Sequence, residues 1–365
     1  MEQQHYFDLA MCQIKHVGPK TIRQLISYCG SSEAVFKASS KQLNKIPGIG
    51  PDLISKLKSK EVFSKTDQAC KQIKKSNSQF YFYTHEDYPT RLKNFPDAPA
   101  GFYYKGKARL KAERTLAVVG TRTPTEHGKK ACRDFIAELQ KFKPCIISGL
   151  AIGIDTQAHK AALDNQLNTI AILGQGFPDI YPNENRKLAL EIIEQGGLIT
   201  EFGFNIKADP RHFPQRNRII AMLSDAVLVV ESKSSGGSII TAEFANEYYK
   251  DVFAIPGRIR DQKSKGCLQL IKSNKAALVE CADDIAQFMN WDNEIKSLTK
   301  QRNLFVELNE EEQKIFKILN DLEEVELNKL HYLSEVKLAD LSTLLLHLEF
   351  KGLVKSLPGK KYTIT

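Results

Sequence analysis

Thr115-Leu116-Ala117-Val118-Val119, followed at once by Gly120-Thr121-Arg122, decides the fold class. A short run that is apolar on both of its faces fits a strand covered on both sides, as the strands of a parallel sheet are. Similar runs recur at 145–147, 169–173, 226–230 and 252–255, with helical patterns at 127–141, 155–166, 184–195 and 238–249 between them. Strand and helix in alternation predict a doubly wound α/β sheet. Ligands of such sheets sit beyond the carboxyl ends of the strands, where Gly120, Ser148-Gly149, Gly174 and the loop after Glu231 fall.

The residues at those ends suit phosphate rather than catalysis. Arg122, Arg216 and Arg218 are permanently charged forks. The last two belong to Phe213-Pro214-Gln215-Arg216-Asn217-Arg218, read as a Pro-marked turn. Ser238 and Thr241 open a helix after Gly236-Gly237, offering hydroxyls and unpaired N–H groups to an anion. Phe213 is placed to stack on a base without regard to its identity. Several such sites together imply a polymer of phosphates. Arg218 has a second reading, a buried ion pair with a sheet carboxylate such as Glu231.

Other residues have competing readings. Asp155 and His159, four apart on one helix, suit a metal, yet spacing supplies no third ligand; a helix-capping aspartate beside a packed histidine is the alternative. Glu201 and Glu231 each end an apolar strand, where they hydrogen-bond pocket loops or act as acid and base. His127 and His212 also fall near the strand ends. Gly101 to Lys107 matches most of a P-loop, but Ala108 stands where Ser or Thr is required.

Around the α/β core the chain changes character. Ile14 to Pro19 and Ile46 to Pro51 each lead through a glycine turn and a proline into a helix, like a pair of helix-hairpin-helix units over residues 1–75. Such turns either present free N–H groups to a phosphate or simply connect helices. Residues 79–110 read as an aromatic, strand-like connector within the central region, 76–288. A polar stretch with the only tryptophan, Trp291, is expected as a linker over 289–304. Residues 309–320, 326–333 and 337–350 then read as three helices, followed by a hairpin through Pro358-Gly359. Three helices and a hairpin predict a winged helix over 305–365.

Net charge is +9, distributed as +10 over residues 1–112, +1 over 113–288 and −2 over 289–365. The basic first third favours a polyanionic partner, or is a solubilising face. The acidic balance of the last third suits a protein-contact or regulatory module at least as well as a DNA reader. Seven scattered cysteines without a Cys-x-x-Cys pair speak against a disulfide framework and a zinc site. Without a signal-like start or a long apolar run, the expectation is a cytosolic protein with no membrane contact.

Taken together the motifs resemble the DNA-processing protein A family, also called DprA or Smf. The likeness rests on Val119-Gly120-Thr121-Arg122, Ser148 to Asp155 with Ala158-His159, Tyr181 to Asn185, Phe213 to Ile220, Gly237 to Ala242, Ile255-Pro256-Gly257 and Gly266 to Ile271. Thr200 and Met222 depart from the family's Ser and Gly. The resemblance implies a protein that binds single-stranded DNA, protects incoming strands and helps load the RecA recombinase in natural transformation. It implies an extended Rossmann domain that pairs into a homodimer, with neither cofactor, metal nor catalytic residue. Its DNA-binding residues would be Gly120, Thr121 and Arg122 at one phosphate, and Ser148 and Gly149 on the floor. Arg211, Phe213, Arg216, Asn217 and Arg218 would form the wall, with Gly236, Gly237, Ser238 and Thr241 at the helix start. The segment 242–288, apolar and at the far end of the sheet, is the expected dimer face. A nucleotide phosphoribohydrolase is the alternative, because Ser234 to Ser238 and Thr241-Ala242-Glu243 suit a mononucleotide and its glycosidic bond; a scaffold recruiting recombination proteins would need no pocket arginines.

Overall fold

In the computed structural model, Thr115–Val119 is a strand buried along its whole length inside a nine-stranded sheet. The structure describes residues 3–291, 308–322, 324–334, 336–351, 353–357 and 361–364. In chain order the strands are β1 (Gln79–Phe82), β2 (Gly101–Gly106), β3 (Thr115–Val119), β4 (Cys145–Ser148), β5 (Thr169–Leu173), β6 (Gly197–Thr200), β7 (Ala226–Val229), β8 (Asp251–Ala254) and β9 (Ala277–Leu278). Across the sheet they run β1-β2-β6-β5-β4-β3-β7-β8-β9. All neighbours from β6 to β9 are parallel, while β1 and β2 join antiparallel at one edge. From β3 the chain steps outward through β4, β5 and β6, then returns to the other side of β3 as β7. That reversal creates a switch point between β3 and β7, the place where doubly wound sheets bind ligands.

The expected Rossmann-like sheet is therefore present. Helices Glu126–Glu138, Ile154–Asp164, Arg186–Gln195 and Gly237–Glu247 lie within a few residues of their expected ranges. The first is started by Thr125, whose Oγ1 accepts from Gly128 N at 3.0 Å.

Three elements differ from the sequence reading. The stretch 213–218 is not a turn but the start of helix His212–Leu223. Pro214 sits in its first turn, where the missing N–H costs nothing. Buried Arg216, Ile219, Ile220 and Leu223 mark the inward face at helical spacing, so an arginine occupies a core position and hides the apolar stripe. Strand β6 escapes notice because it opens on glycine: a Cβ at Gly197 would overlap the Tyr104 ring. Residues 79–110 are no mere connector, since β1 and β2 belong to the sheet. The P-loop match coincides with β2, so it forms no phosphate loop.

The first 76 residues form helices Gln3–Cys12, Pro19–Cys29, Ser32–Lys37, Ser40–Leu43, Pro51–Leu57 and Lys60–Ser76. Pro19 and Pro51 each open a helix, and Gly48 turns the chain at φ +76°. Leu25, Val35, Leu43 and Leu57 fill the core of this helix-hairpin-helix region, together with Phe82 of β1 and Ala100. Leu9 packs instead with Leu173 and Ile192 beside the sheet.

Residues Met1–Trp291 and Asp292–Thr365 form two separate units. Trp291, placed in a linker by the sequence, is buried in the first unit, its ring centroid 6.2 Å from that of Phe142. From residue 292 on, the expected linker lies outside the described residues, as do Pro358 and Gly359. The second unit is a winged helix: Glu310–Leu322, Leu327–Ser334 and Leu338–Phe350 carry a sheet of β10 (Glu324–Glu326), β11 (Val354–Leu357) and β12 (Lys361–Ile364), ordered β10-β12-β11. Ile315, Leu319, Leu330, Leu341 and Leu345 form its core. The sequence reading missed β10, a three-residue strand with one buried side chain, Val325. No helix among the described residues is long and apolar enough to cross a membrane.

Candidate nucleic-acid interface

At the switch point the ends of β3 and β7 open into a cleft of about 510 Å³. Gly120, Thr121 and Arg122 form one lip, held from both sides. Thr121 N donates to Glu231 O at 2.7 Å, and Thr121 O accepts from Ile154 N at 3.1 Å. Gly153, at φ +93°, starts the helix beneath them; a Cβ there would overlap Thr121 O and lie 2.7 Å from Arg122 Cα. The lip is thus a fixed turn from which the exposed Arg122 projects.

Facing it are Gly236, Gly237, Ser238 and Thr241, at the N-terminus of helix Gly237–Glu247. The positive end of that helix dipole points into the cleft, a favourable place for an anion. Ser238 and Thr241 are buried, and Ser238 Oγ donates to Ser232 Oγ at 2.8 Å. The Ser238 side chain fixes the loop; the exposed Gly237 offers backbone.

Phe213 and Asn217 come from helix His212–Leu223 and also line the cleft. The Arg122 guanidinium lies 5.3 Å from the Phe213 ring centroid, and Tyr181 adds a second ring at 5.9 Å. A cation and two aromatic faces therefore stand together, suited to a phosphate and a base in succession. Asn217 Nδ2 donates to Gly237 O at 3.3 Å, tying the two helices.

Arg216 lies beneath this surface, 4% exposed. Its Nη1 donates to the backbone oxygens of Gly149 and Ile172. The expected open phosphate fork is instead a buried strut under the cleft, because its position belongs to the helix's inward face. Asp155 shares the pocket floor, accepting from Gly149 N at 3.1 Å and Ala151 N at 3.4 Å. Burial pushes the Asp155 carboxyl up, with Arg216 pulling it back. Burial also lowers the Arg216 guanidinium to about 10, with Asp155 opposing and Arg122 adding to the fall. His159, fully buried, is lowered to about 3 by desolvation first and by Arg216 second. Its Nδ1 pairs with Thr169 Oγ1 at 2.7 Å. Asp155 and His159 are thus engaged in packing, and no cluster of three metal-ligating side chains occurs among the described residues.

The other expected residues fall away from the cleft. Ser148 is fully buried and donates to Val118 O at 2.6 Å. Gly149 lies beneath Arg216, where any Cβ would overlap the guanidinium. Arg211 is exposed and paired with Asp209, whose carboxyl it holds well below the usual range. Arg218 does form the ion pair considered for it, but with Glu201 rather than Glu231. Glu231 Oε2 instead accepts from Thr125 N at 2.9 Å. Lys233, exposed at the cleft, and Tyr181 were missed. Lys233 stands in the Glu231-Ser232-Lys233 continuation of β7, where position alone was a sufficient signal.

Comparison with known proteins agrees with this architecture. The family model described as DNA recombination-mediator protein A matches residues 79–290, flanked by a SAM-like helix-hairpin-helix tandem at 8–60 and a DprA winged helix domain at 306–360. The chain is 32% identical over 386 residues to Protein Smf of Synechocystis, covering 97% of each. DNA processing protein A of Streptococcus pneumoniae superposes with a TM-score of 0.64 at 33% identity, covering 77% of this chain and 97% of that one. The protein of the same name from Helicobacter pylori, whose structure is described for its single-stranded DNA binding mode, superposes at 0.54 with 28% identity, covering 60% and 98%. With one relative matched over 97% of both chains and the switch-point core inside the family's own region, this chain belongs to the DNA-processing protein A (DprA/Smf) family.

Proposed function

We propose that the chain binds single-stranded DNA in the switch-point cleft, protects incoming strands and helps load the RecA recombinase during natural transformation. The observation that carries the binding step is the grouping of exposed Arg122 and Lys233 with the Phe213 ring and a helix N-terminus along one open cleft. Cations hold successive phosphates, and the ring stacks on whichever base lies between them. The Helicobacter relative, described for single-stranded DNA binding, supports the same use here.

Binding rather than hydrolysis fits the state of the acidic side chains. Glu201 is paired with Arg218, Asp155 accepts from two backbone N–H groups, and Glu243 is not among the residues lining the cleft. That disfavours the phosphoribohydrolase alternative, which needs a carboxylate at the glycosidic bond. Pairing into a homodimer is supported at the β9 end, where Tyr249, Ile259, Leu278 and Phe288 are exposed. A second cleft in the same particle would raise the effective concentration of binding sites along one strand.

The test is an electrophoretic shift with oligo-dT and with duplex at two salt concentrations, run beside incubation with purine monophosphates. Salt-sensitive retention of the single strand without release of free base is expected. Release of base, or equal retention of duplex, would overturn the reading.

A further inference from the structure

At one end of the cleft the lining turns apolar. Ile152 is 44% and Tyr181 49% exposed there, and with the Phe213 ring they surround a small recess of about 40 Å³. The recess opens from the cleft, since Arg122, Tyr181 and Phe213 line both, and it adds Ile152 and Pro182 as walls of its own. Single exposed apolar residues mean little, whereas three grouped at the mouth of a binding cleft mark a contact surface.

The recess is built into the fold. Ala151 O accepts from Thr156 Oγ1 at 2.8 Å, and buried Asn185 donates through Nδ2 to Leu150 O at 2.8 Å, tying this turn to the loop that carries Tyr181. Ile152 is therefore held outward on a turn bonded from both sides. Two polar side chains of the wall are already engaged: Arg216 Nη1 by the Gly149 and Ile172 oxygens, and Gln175 Nε2 by Tyr181 O at 3.4 Å. The apolar walls are what the recess offers a ligand.

Size and chemistry narrow the occupant. A water needs about 10–15 Å³ of such space and sites for whole small molecules run to roughly 300–1,000 Å³, so the recess admits a substituent and not a ring. The edges of DNA bases carry amino and carbonyl groups and, on thymine alone, a methyl group. An amino or carbonyl group would give up its hydrogen bonds to water among apolar walls; the methyl gives up nothing.

We propose that the recess seats the 5-methyl group of a thymine whose ring lies on Phe213, with Ile152 and Tyr181 as its walls. The inference rests on strand binding in the cleft. Stacking on Phe213 is indifferent to the base, and the seat adds to it a modest preference for thymine.

The experiment measures equilibrium binding of three oligonucleotides of equal length, oligo-dT, oligo-dU and oligo-dU carrying a 5-propynyl group on each base, to the full chain and to Ile152→Ala. The first two differ only in the methyl group, and the unaltered chain should favour oligo-dT about fourfold, as burial of one methyl allows. The propynyl group stacks more strongly than methyl but is too long for the recess, so it should bind no tighter than oligo-dT. Ile152→Ala removes one wall, and oligo-dT should then bind no better than oligo-dU. The series of substituents on the unaltered chain stands whether or not the variant folds. Equal binding of oligo-dT and oligo-dU, tighter binding of the propynyl strand than of oligo-dT, or a preference that survives Ile152→Ala overturns the seat and leaves strand binding in place. Retention of none of the three overturns strand binding in the cleft, and the seat with it.

Discussion

Arg218 and Glu201 form a two-pronged ion pair, with Nη2 2.5 and 2.6 Å from the two carboxylate oxygens, while Arg218 Nη1 donates to Asp97 O at 2.5 Å. Burial raises the Glu201 carboxyl and Arg218 draws it back down. The pair clamps helix His212–Leu223 to the end of β6. Arg218→Ala should therefore lower stability by about 2–3 kcal/mol, less than a fully buried pair would lose. Urea unfolding checks this, alongside oligo-dT affinity under conditions where the variant is folded. Reduced affinity with unchanged stability would place Arg218 on the strand instead.

Arg122 should behave in the opposite way. It is exposed, so Arg122→Ala should leave unfolding unchanged and weaken single-strand binding. Loss of one phosphate contact lowers the slope of log affinity against log salt by about 0.7. A titration at several salt concentrations measures it, and a slope equal to the wild type's would remove Arg122 from the interface.

Arg216 separates from Arg122 despite its place in the same cleft. Arg216→Ala empties a buried position and leaves Asp155 without its opposing charge. The expected cost is about 3–5 kcal/mol, visible as a lowered thermal midpoint. Arg216→Lys should not restore it, since both carbonyl bonds are made from Nη1 at the far tip of the guanidinium, a point that the shorter lysine ammonium does not reach.

Gly153 supports the lip without touching a ligand. Gly153→Ala forces a side chain onto a backbone at φ +93°, costing about 1–3 kcal/mol, and pushes against Thr121 and Arg122. Single-strand affinity should fall together with stability. Wild-type affinity in a folded Gly153→Ala chain would show that the lip geometry does not matter.

His159 predicts a pH dependence. Its folded value of about 3 lies below the unfolded one near 6.5, so below pH 6.5 the unfolded chain binds a proton that the folded chain refuses. Stability contributed by the neutral ring is complete above about pH 6.5 and declines as pH falls towards 3, by up to about 1.4 kcal/mol per pH unit. His159→Asn, able to keep the bond to Thr169, should flatten that decline relative to wild type. Denaturant midpoints at pH 7 and pH 5 are the comparison.

Much of this was legible in the sequence, for identifiable reasons. Runs such as 115–119 and 169–173 are short, apolar on both faces and followed by glycine, as covered sheet strands are. Gly120 and Gly236-Gly237 mark their turns directly. What escaped was set by neighbours distant in sequence. Arg216 reads as a ligand-binding cation because nothing nearby reveals the Gly149 and Ile172 carbonyls waiting 67 and 44 residues away. For Arg218 the sequence allows either a strand contact or an ion pair, and the pair's partner, Glu201 rather than Glu231, depends on the relative placement of β6 and β7. Strand β6 begins with glycine to admit Tyr104, a requirement that only the paired sheet exposes.

The antiparallel addition of β1 and β2 has a consequence for how the molecule comes apart. Phe82 sits in the core of the N-terminal helices while its own strand pairs with β2, and β2 pairs with β6. Helices and sheet cannot be pulled from one another without exposing Phe82 and breaking a ladder. The first 291 residues should melt in a single cooperative transition, with amide protons of Leu25 and Ile172 exchanging at the same limiting free energy. The winged helix, with its own core, should contribute a separate calorimetric peak.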